Sequence, residues 1–182
     1  MSIKDLIGDY AGFYAQQRSR MADLEFDIGL YPLSHIAFRA PTVADYLRIR
    51  DELEKCCDAN VENEWRGRAI SKLQFRVPLD LGGGATASML ELIPPPHKPG
   101  QKIGLDHVAL VLGEHIEPFA QRYREMLIGE NQSSLPSAPY RISFKDGSSV
   151  KFYRVSLKDL VIAQGFSFDG FYHAREQTAD PG

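Results

Sequence analysis

The chain lacks most of the features that would assign it at a glance. It has two cysteines in 182 residues, Cys56 and Cys57, side by side. Adjacent thiols with no second pair make neither a CxxC metal motif nor a disulfide framework, and they predict a reducing, cytoplasmic setting. No apolar run approaches the roughly 18 residues that a membrane helix needs, which excludes a helical span. The opening MSIKDLIGDY has no basic leader before an unbroken apolar stretch, so no signal peptide is expected. Basic charge is not in excess: 21 Lys and Arg against 24 Asp and Glu leave a net charge of −3. The basic residues are scattered, apart from WRGR at 65–68, and a nucleic-acid partner is not expected. The glycines at 82–84 are not followed by GK[ST], and no serine sits in GxSxG. A phosphate-cradling loop and a nucleophile elbow are therefore both missing.

What is present is ordinary in bulk and unusual in order. A content of 43% hydrophobic and 25% charged residues suits one substantial domain, or two small modules sharing a core. Residues 2–24 predict an amphipathic helix, with Ser2 and Asp5 as a capping-box-like start and a weaker pattern at 16–20. Two later stretches then repeat one phrase: LSHIAFR at 33–39 and LDHVALV at 105–111. Each reads Leu, small polar or acidic, His, β-branched, Ala, large apolar. The offset of 72 (105 minus 33) is too long for a solenoid repeat and fits a duplicated module.

Each copy predicts strand, helix, then two or three strands. In the first, Thr42 with Asp45 starts a helix whose apolar stripe is Tyr46, Ile49, Leu53 and Cys56 or Cys57. Strands follow near 60–65, 70–77 and 86–93, with the glycines at 82–84 between the last two. PPPHKPG at 94–100 links the halves. In the second, Ile116, Phe119, Tyr123, Met126 and Leu127 mark a helix, and residues 131–139 a polar loop. Asp146-Gly147 between YRISF and SVKFYRV signals a hairpin. The expected organisation is a helical extension (1–30), a first module (31–96), a second module (97–170) and a flexible tail (171–182), in one compact domain. The fold class is α+β: two pseudo-symmetric βαβββ-type modules forming a curved mixed sheet, or half-barrel, around a cavity, with an extra N-terminal helix.

Strand alternation sorts the side chains. Val108, Leu110 and Leu112 suit a helix-covered face, which turns His107 and Ala109 the other way. His35 and Ala37 follow the same split. Leu90 and Leu92 in ASMLELIPP place Glu91 on the histidine side, where an unpaired carboxylate is costly. Two imidazoles and a carboxylate converging there are either a metal site with open positions or a buried His–Glu–His hydrogen-bond network joining the halves. Parity also turns Lys72, Gln74 and Arg76 toward the cavity, with Arg39 and Arg141 nearby. These are clamps for an anionic substrate or a solvated rim.

SHIAFR, LELIPPPHKPG, LDHVALVL and DGSSVKFYRVSLKDLV together resemble the YecM family, within the vicinal oxygen chelate superfamily of glyoxalases, extradiol dioxygenases and epimerases. The resemblance covers the leading helix and most of the chain to about Ala163. It implies a divalent metal (Fe, Zn, Ni or Mn) on His35, Glu91 and His107, a small-molecule substrate that chelates through two oxygens, and no fixed reaction. Oxygenation and proton transfer next to a carbonyl, with Glu91 as base, are both open. So is a non-catalytic binding protein of the same fold. The superfamily's fourth ligand comes from the last strand of the second module. Matching ELIPP to SVKFYRV puts Tyr153 there, with Lys151 on the same face. Tyr153 is then a proton donor, a substrate contact or a phenolate ligand, unless it merely fills one end of the cavity. A monomer is the expected state, with a homodimer as the alternative.

Overall fold

A computed structural model describes residues 2–65, 67–127 and 139–174. The N-terminal segment forms two helices rather than one. α1 (Ile3–Ile7) starts in a reciprocal capping box, the Asp5 amide donating to Ser2 Oγ and the Ser2 amide to Asp5 Oδ2. Gly8 then takes φ +84°, a conformation that glycine adopts without a Cβ penalty. The chain turns there, and Asp9 caps α2 (Tyr10–Ala22).

The first module is β1 (Leu33–Arg39), α3 (Val43–Glu54), β2 (Cys57–Trp65), β3 (Arg68–Gly82) and β4 (Ala85–Ile93). The second is β5 (Gly104–Val111), α4 (Ile116–Arg122), β6 (Tyr140–Ser143) and β7 (Ser149–Tyr153), followed by α5 (Leu157–Ala163) and β8 (Phe171–Tyr172). All eight strands join one curved, open sheet in the order β6-β7-β5-β1-β4-β3-β2-β8. Within the modules β1 runs parallel to β4, and β5 parallel to β7; the outer strands pair antiparallel. The second module shows three strands among the described residues, and the predicted Ser- and Pro-rich loop at 131–139 lies outside them except for Pro139.

The halves meet where β1 pairs antiparallel with β5. His35 stands opposite Ala109, Ile36 opposite Val108 and Ala37 opposite His107. Adding 72 to His35 gives His107 and subtracting 72 from Ala109 gives Ala37, so the first pair becomes the third and the ladder maps onto itself about a pseudo-two-fold axis at Ile36 and Val108. The duplication read from the sequence is thus built into the central register.

One face of the sheet carries the main core. Ile36, Phe38, Leu90, Leu92, Val108, Leu110, Val150 and Phe152 are buried there with residues from α1 to α4. Phe152 packs 4.1 Å from the Phe119 ring and 5.7 Å from Phe26, between centroids. On the same side Glu62 is buried in a polar knot, accepting from Tyr46 Oη (2.6 Å), Ser71 Oγ (2.9 Å) and Arg50 Nη1 (3.2 Å).

Two expectations are corrected, and one element is new. α3 stops at Glu54, so Cys56 is an exposed turn residue and Cys57 opens β2; neither extends the helical stripe. The tail does not begin at Gly170: Phe171 and Tyr172 pair in parallel with Asn60 and Val61, which have a free sheet edge to offer. Residues 175–182 lie outside the described set. α5 was not anticipated, although Ser156 caps it through the Asp159 amide in the manner of Thr42. Among the described residues no helix is long and apolar enough to cross a membrane.

Phe152 anchors the aromatic cluster under the second module. Phe152→Ala is expected to cost about 3–5 kcal/mol, read as a lower urea midpoint with an unchanged slope.

Candidate metal centre

The other face of the sheet holds the polar residues in two rows. One runs Lys72, Glu91, Ala37, His107, Ser149 across β3, β4, β1, β5 and β7. The neighbouring row brings His35, Ala109, Lys151 and Arg141 together across β1, β5, β7 and β6. Each histidine faces an alanine on the partner strand.

The ligand atoms converge. His107 Nε2 lies 3.3 Å from His35 Nε2 and 3.5 Å from Glu91 Oε2, and His35 Nε2 lies 4.0 Å from the same carboxylate oxygen. A circle through three points with those separations has a radius of about 2.1 Å, the bond length of first-row divalent ions to imidazole and carboxylate. Among the described residues this is the group of His, Cys, Asp and Glu side chains able to share an ion.

Both rings are held from behind. Ser34 Oγ is 2.9 Å from His35 Nδ1, and it accepts a 2.8 Å hydrogen bond from the Leu157 amide at the start of α5. Asp106 Oδ2 is 2.6 Å from His107 Nδ1, and Arg39 Nε forms a 2.9 Å ion pair with Asp106 Oδ1. A carboxylate on Nδ1 keeps the proton there and turns the Nε2 lone pair inward, as a ligating histidine requires.

Strand alternation should point residues 34 and 106 away from the histidines they precede. The β1–β5 ladder slips one residue at each place, once between Leu33 and His35 and once between Asp106's neighbours, opposite Ala37 and Phe38. Ser34 and Asp106 are the extra residues of two symmetry-related bulges, and a bulge re-aims side chains in this way. The sequence carried a signal for them, since both copies have a small polar or acidic residue before the histidine.

A family model for the YecM protein matches residues 2–148. The chain belongs to the YecM family. No curated protein matches it. Among solved structures, a structural-genomics protein designated EC4020 is 23% identical, covers 90% of this chain and 97% of its own, and superposes with a TM-score of 0.66. A point mutant of glyoxalase I from Zea mays is 16% identical over 68% of this chain and 44% of its own, with a TM-score of 0.44. A point mutant of the fosfomycin resistance protein FosX from Listeria monocytogenes, complexed with Mn(II) and 1S,2S-dihydroxypropylphosphonic acid, is 9% identical over 71% of this chain and 96% of its own, with a TM-score of 0.29.

Burial and charge set the protonation states of this YecM-family site. Burial pulls His35 down to about 3, with Glu91 pulling the other way, and burial lowers His107 against the upward pull of Asp106. Both imidazoles are neutral at pH 7. Burial alone would raise Glu91, but Lys151 foremost among its neighbours holds it down at about 2. Asp106 is likewise pushed up by burial and held well below the carboxylate range by His107 and Arg39. Burial, reinforced by Glu91, raises Tyr153, so its phenol keeps its proton. Burial lowers Lys72 to about 8 despite Glu91.

The remaining expected site residues divide. Tyr153 reaches the cluster, its ring 5.7 Å from that of His35. It does not hold the position equivalent to Glu91, however. Glu91 stands opposite Ala37, and the residue opposite Ala109 is Lys151, because β7 is two residues out of step with the match ELIPP suggested. Gln74 neighbours the histidines' face with a buried, unpartnered Oε1. Arg39 serves Asp106, as above. Arg76 is corrected outright: the β3–β4 ladder breaks after Gln74, and Arg76 lies exposed on Asp58 and the Cys57 carbonyl.

Two measurements follow from this geometry. Asp106→Asn should weaken zinc binding by about 10–100-fold and Ser34→Ala by less, read by calorimetry. For the metal-free protein, stability should fall as pH drops from about 6.5 toward 5, because the unfolded histidines take up protons that the depressed native ones refuse. Glu91 and Asp106, also depressed, add to that loss only below about pH 4.5. His35→Asn should make the slope between about pH 6.5 and 5 shallower, in urea titrations across pH.

Proposed function

We propose that the chain is a divalent-metal-dependent enzyme whose protein ligands are His35, Glu91 and His107, and whose substrate is a small molecule chelating through two oxygens. The observation that carries this reading is the 3.3, 3.5 and 4.0 Å triangle of Nε2, Nε2 and Oε2 atoms. Two neutral imidazoles and one carboxylate suit iron, zinc, nickel or manganese. Such an ion, when bound, supplies Lewis-acid polarisation of substrate oxygens.

The chain's own residues do the rest. Ser34 and Asp106 fix the two rings, so the donors need no rearrangement. Glu91, kept ionised, is the group able to take a proton from carbon beside a carbonyl. Tyr153, kept protonated beside His35, donates a hydrogen bond or a proton to a substrate oxygen. Three protein ligands leave positions for substrate and for O₂, so oxygenation stands beside isomerisation or lysis as the reaction class. The free thiols of Cys56 and Cys57 support work in the cytoplasm, and closure of both modules within one chain supports a monomer.

A binding protein without turnover is the second reading. It is favoured by the direct 3.3 Å contact of His35 and His107, which lets the rings satisfy each other with one shared proton and no ion.

Elemental analysis of protein purified without chelator separates the two. The enzyme reading expects about one transition-metal ion per chain, lost in His35→Ala, and a melting temperature lowered by EDTA. Metal-free protein whose melting is indifferent to EDTA would favour binding. Iron would direct assays to oxygenation; zinc, nickel or manganese to proton transfer.

A further inference from the structure

We infer that the substrate of this site is an anion, a small carboxylate with a second oxygen donor on the adjacent carbon, and that Lys151 and Arg141 select it. The inference rests on the three-ligand reading above and adds the substrate class.

The argument starts from the pseudo-two-fold axis. It exchanges His35 with His107 and Ala37 with Ala109. It must therefore exchange whatever stands opposite Ala37 on β4 with whatever stands opposite Ala109 on β7. Those residues are Glu91 and Lys151. One strand further out, Lys72 is opposite Glu91, and Arg141 is opposite Lys151. The two rows are thus copies in position but opposites in charge. The first pairs a cation with a carboxylate; the second pairs a cation with a cation.

Like charges directly opposite one another on neighbouring strands destabilise a sheet, and a half-buried cation with no direct ion pair adds to that cost. Lys72 has its own acceptors, the Ile70 carbonyl at 2.8 Å and Asn63 Oδ1. Lys151 and Arg141 make no hydrogen bond or ion pair among the described residues, and Arg141 Nε is buried without a partner. Of the nearby carboxylates, Asp106 is engaged by His107 and Arg39, and Glu91, whose charge favours the Lys151 ammonium without a direct ion pair, is the one shared by the two imidazoles. Counted at their formal charges, Glu91 and Asp106 against Lys72, Lys151, Arg39 and Arg141 sum to +2, and a divalent ion would add two more. A site of that charge at the wall of a folded protein is completed by an anion.

Position gives the anion its shape. Lys151 occupies the corner where symmetry would put a second carboxylate ligand, and an ammonium has no lone pair to give. That corner stays open for a substrate oxygen, with the ammonium beside it. Arg141 adds a planar fork that matches the two oxygens of a carboxylate better than a single alkoxide. A 2-hydroxy or 2-oxo acid meets all three requirements, whereas a neutral hydroxy-ketone meets only the chelation.

Calorimetry on the full chain tests this in two steps, with zinc as the metal. Zinc is first titrated into wild type, Lys151→Met, Lys151→Glu and Arg141→Met; lactate and the neutral hydroxyacetone are then titrated into each zinc-loaded protein. Wild type should prefer lactate by about tenfold or more, and each methionine variant should lose about tenfold for lactate while holding zinc at least as tightly. Lys151→Glu, which restores the second carboxylate, should bind zinc more tightly and lactate not measurably. Arg141 sits on the edge strand and is half-buried, so its variant reports even if Lys151→Met does not fold. Zinc bound by wild type with lactate affinity unchanged in both methionine variants would overturn the inference and spare the metal reading. No zinc uptake by wild type would fail at the first step and remove both.

Discussion

Everything at this site depends on one strand pairing. β1 and β5 run antiparallel at the centre of the sheet, and their register brings two imidazole Nε2 atoms to 3.3 Å across a pseudo-two-fold axis. Two lone pairs at that distance repel unless a proton or a cation lies between them. The ladder holds them there regardless, because its opposite face is locked into the main core by Ile36, Phe38, Val108 and Leu110. Packing energy on one face thus fixes the spacing of polar atoms on the other, which is how folds commonly sustain such clusters.

Symmetry made the scaffold, and departures from it set the two halves of the cluster apart. Ser34 and Asp106 occupy equivalent bulges, yet one offers a hydroxyl that can donate or accept, and the other a carboxylate that only accepts. His107 is therefore held in a single tautomer, while His35 can take either. Glu91 and Lys151 differ more sharply, with opposite charges at equivalent corners. A duplicated module has no need of such differences for folding, and under the proposed function they are where a substrate's asymmetry would be matched.

Much of this was legible in the sequence, for physical reasons that can be named. The histidine phrase stood out because a strand with a covered face must alternate, and both copies did. Glu91 followed from the leucines on either side of it. The residues that escaped are those where alternation fails locally: Ser34 and Asp106 at bulges, and Arg76 beyond a break in the β3–β4 ladder. Lys151 was seen on the right face but at the wrong place in the symmetry, because ELIPP and SVKFYRV share no phrase that sets their register. Hydrogen bonding of β5 to β7 sets it instead. β8 and α5 were missed because each relies on tertiary partners, a free edge of β2 and the Ser34 hydroxyl.

The central claim is that the duplication exists here to place two imidazoles and one carboxylate around a single divalent ion. X-ray absorption spectroscopy on metal-loaded protein tests it most directly, since imidazole rings scatter with a recognisable outer-shell pattern. The account predicts two imidazoles in the coordination sphere at about 2.1 Å with oxygen donors completing it, and the loss of one imidazole in His107→Ala. A spectrum of oxygen or sulfur donors alone, unchanged by that substitution, would contradict it.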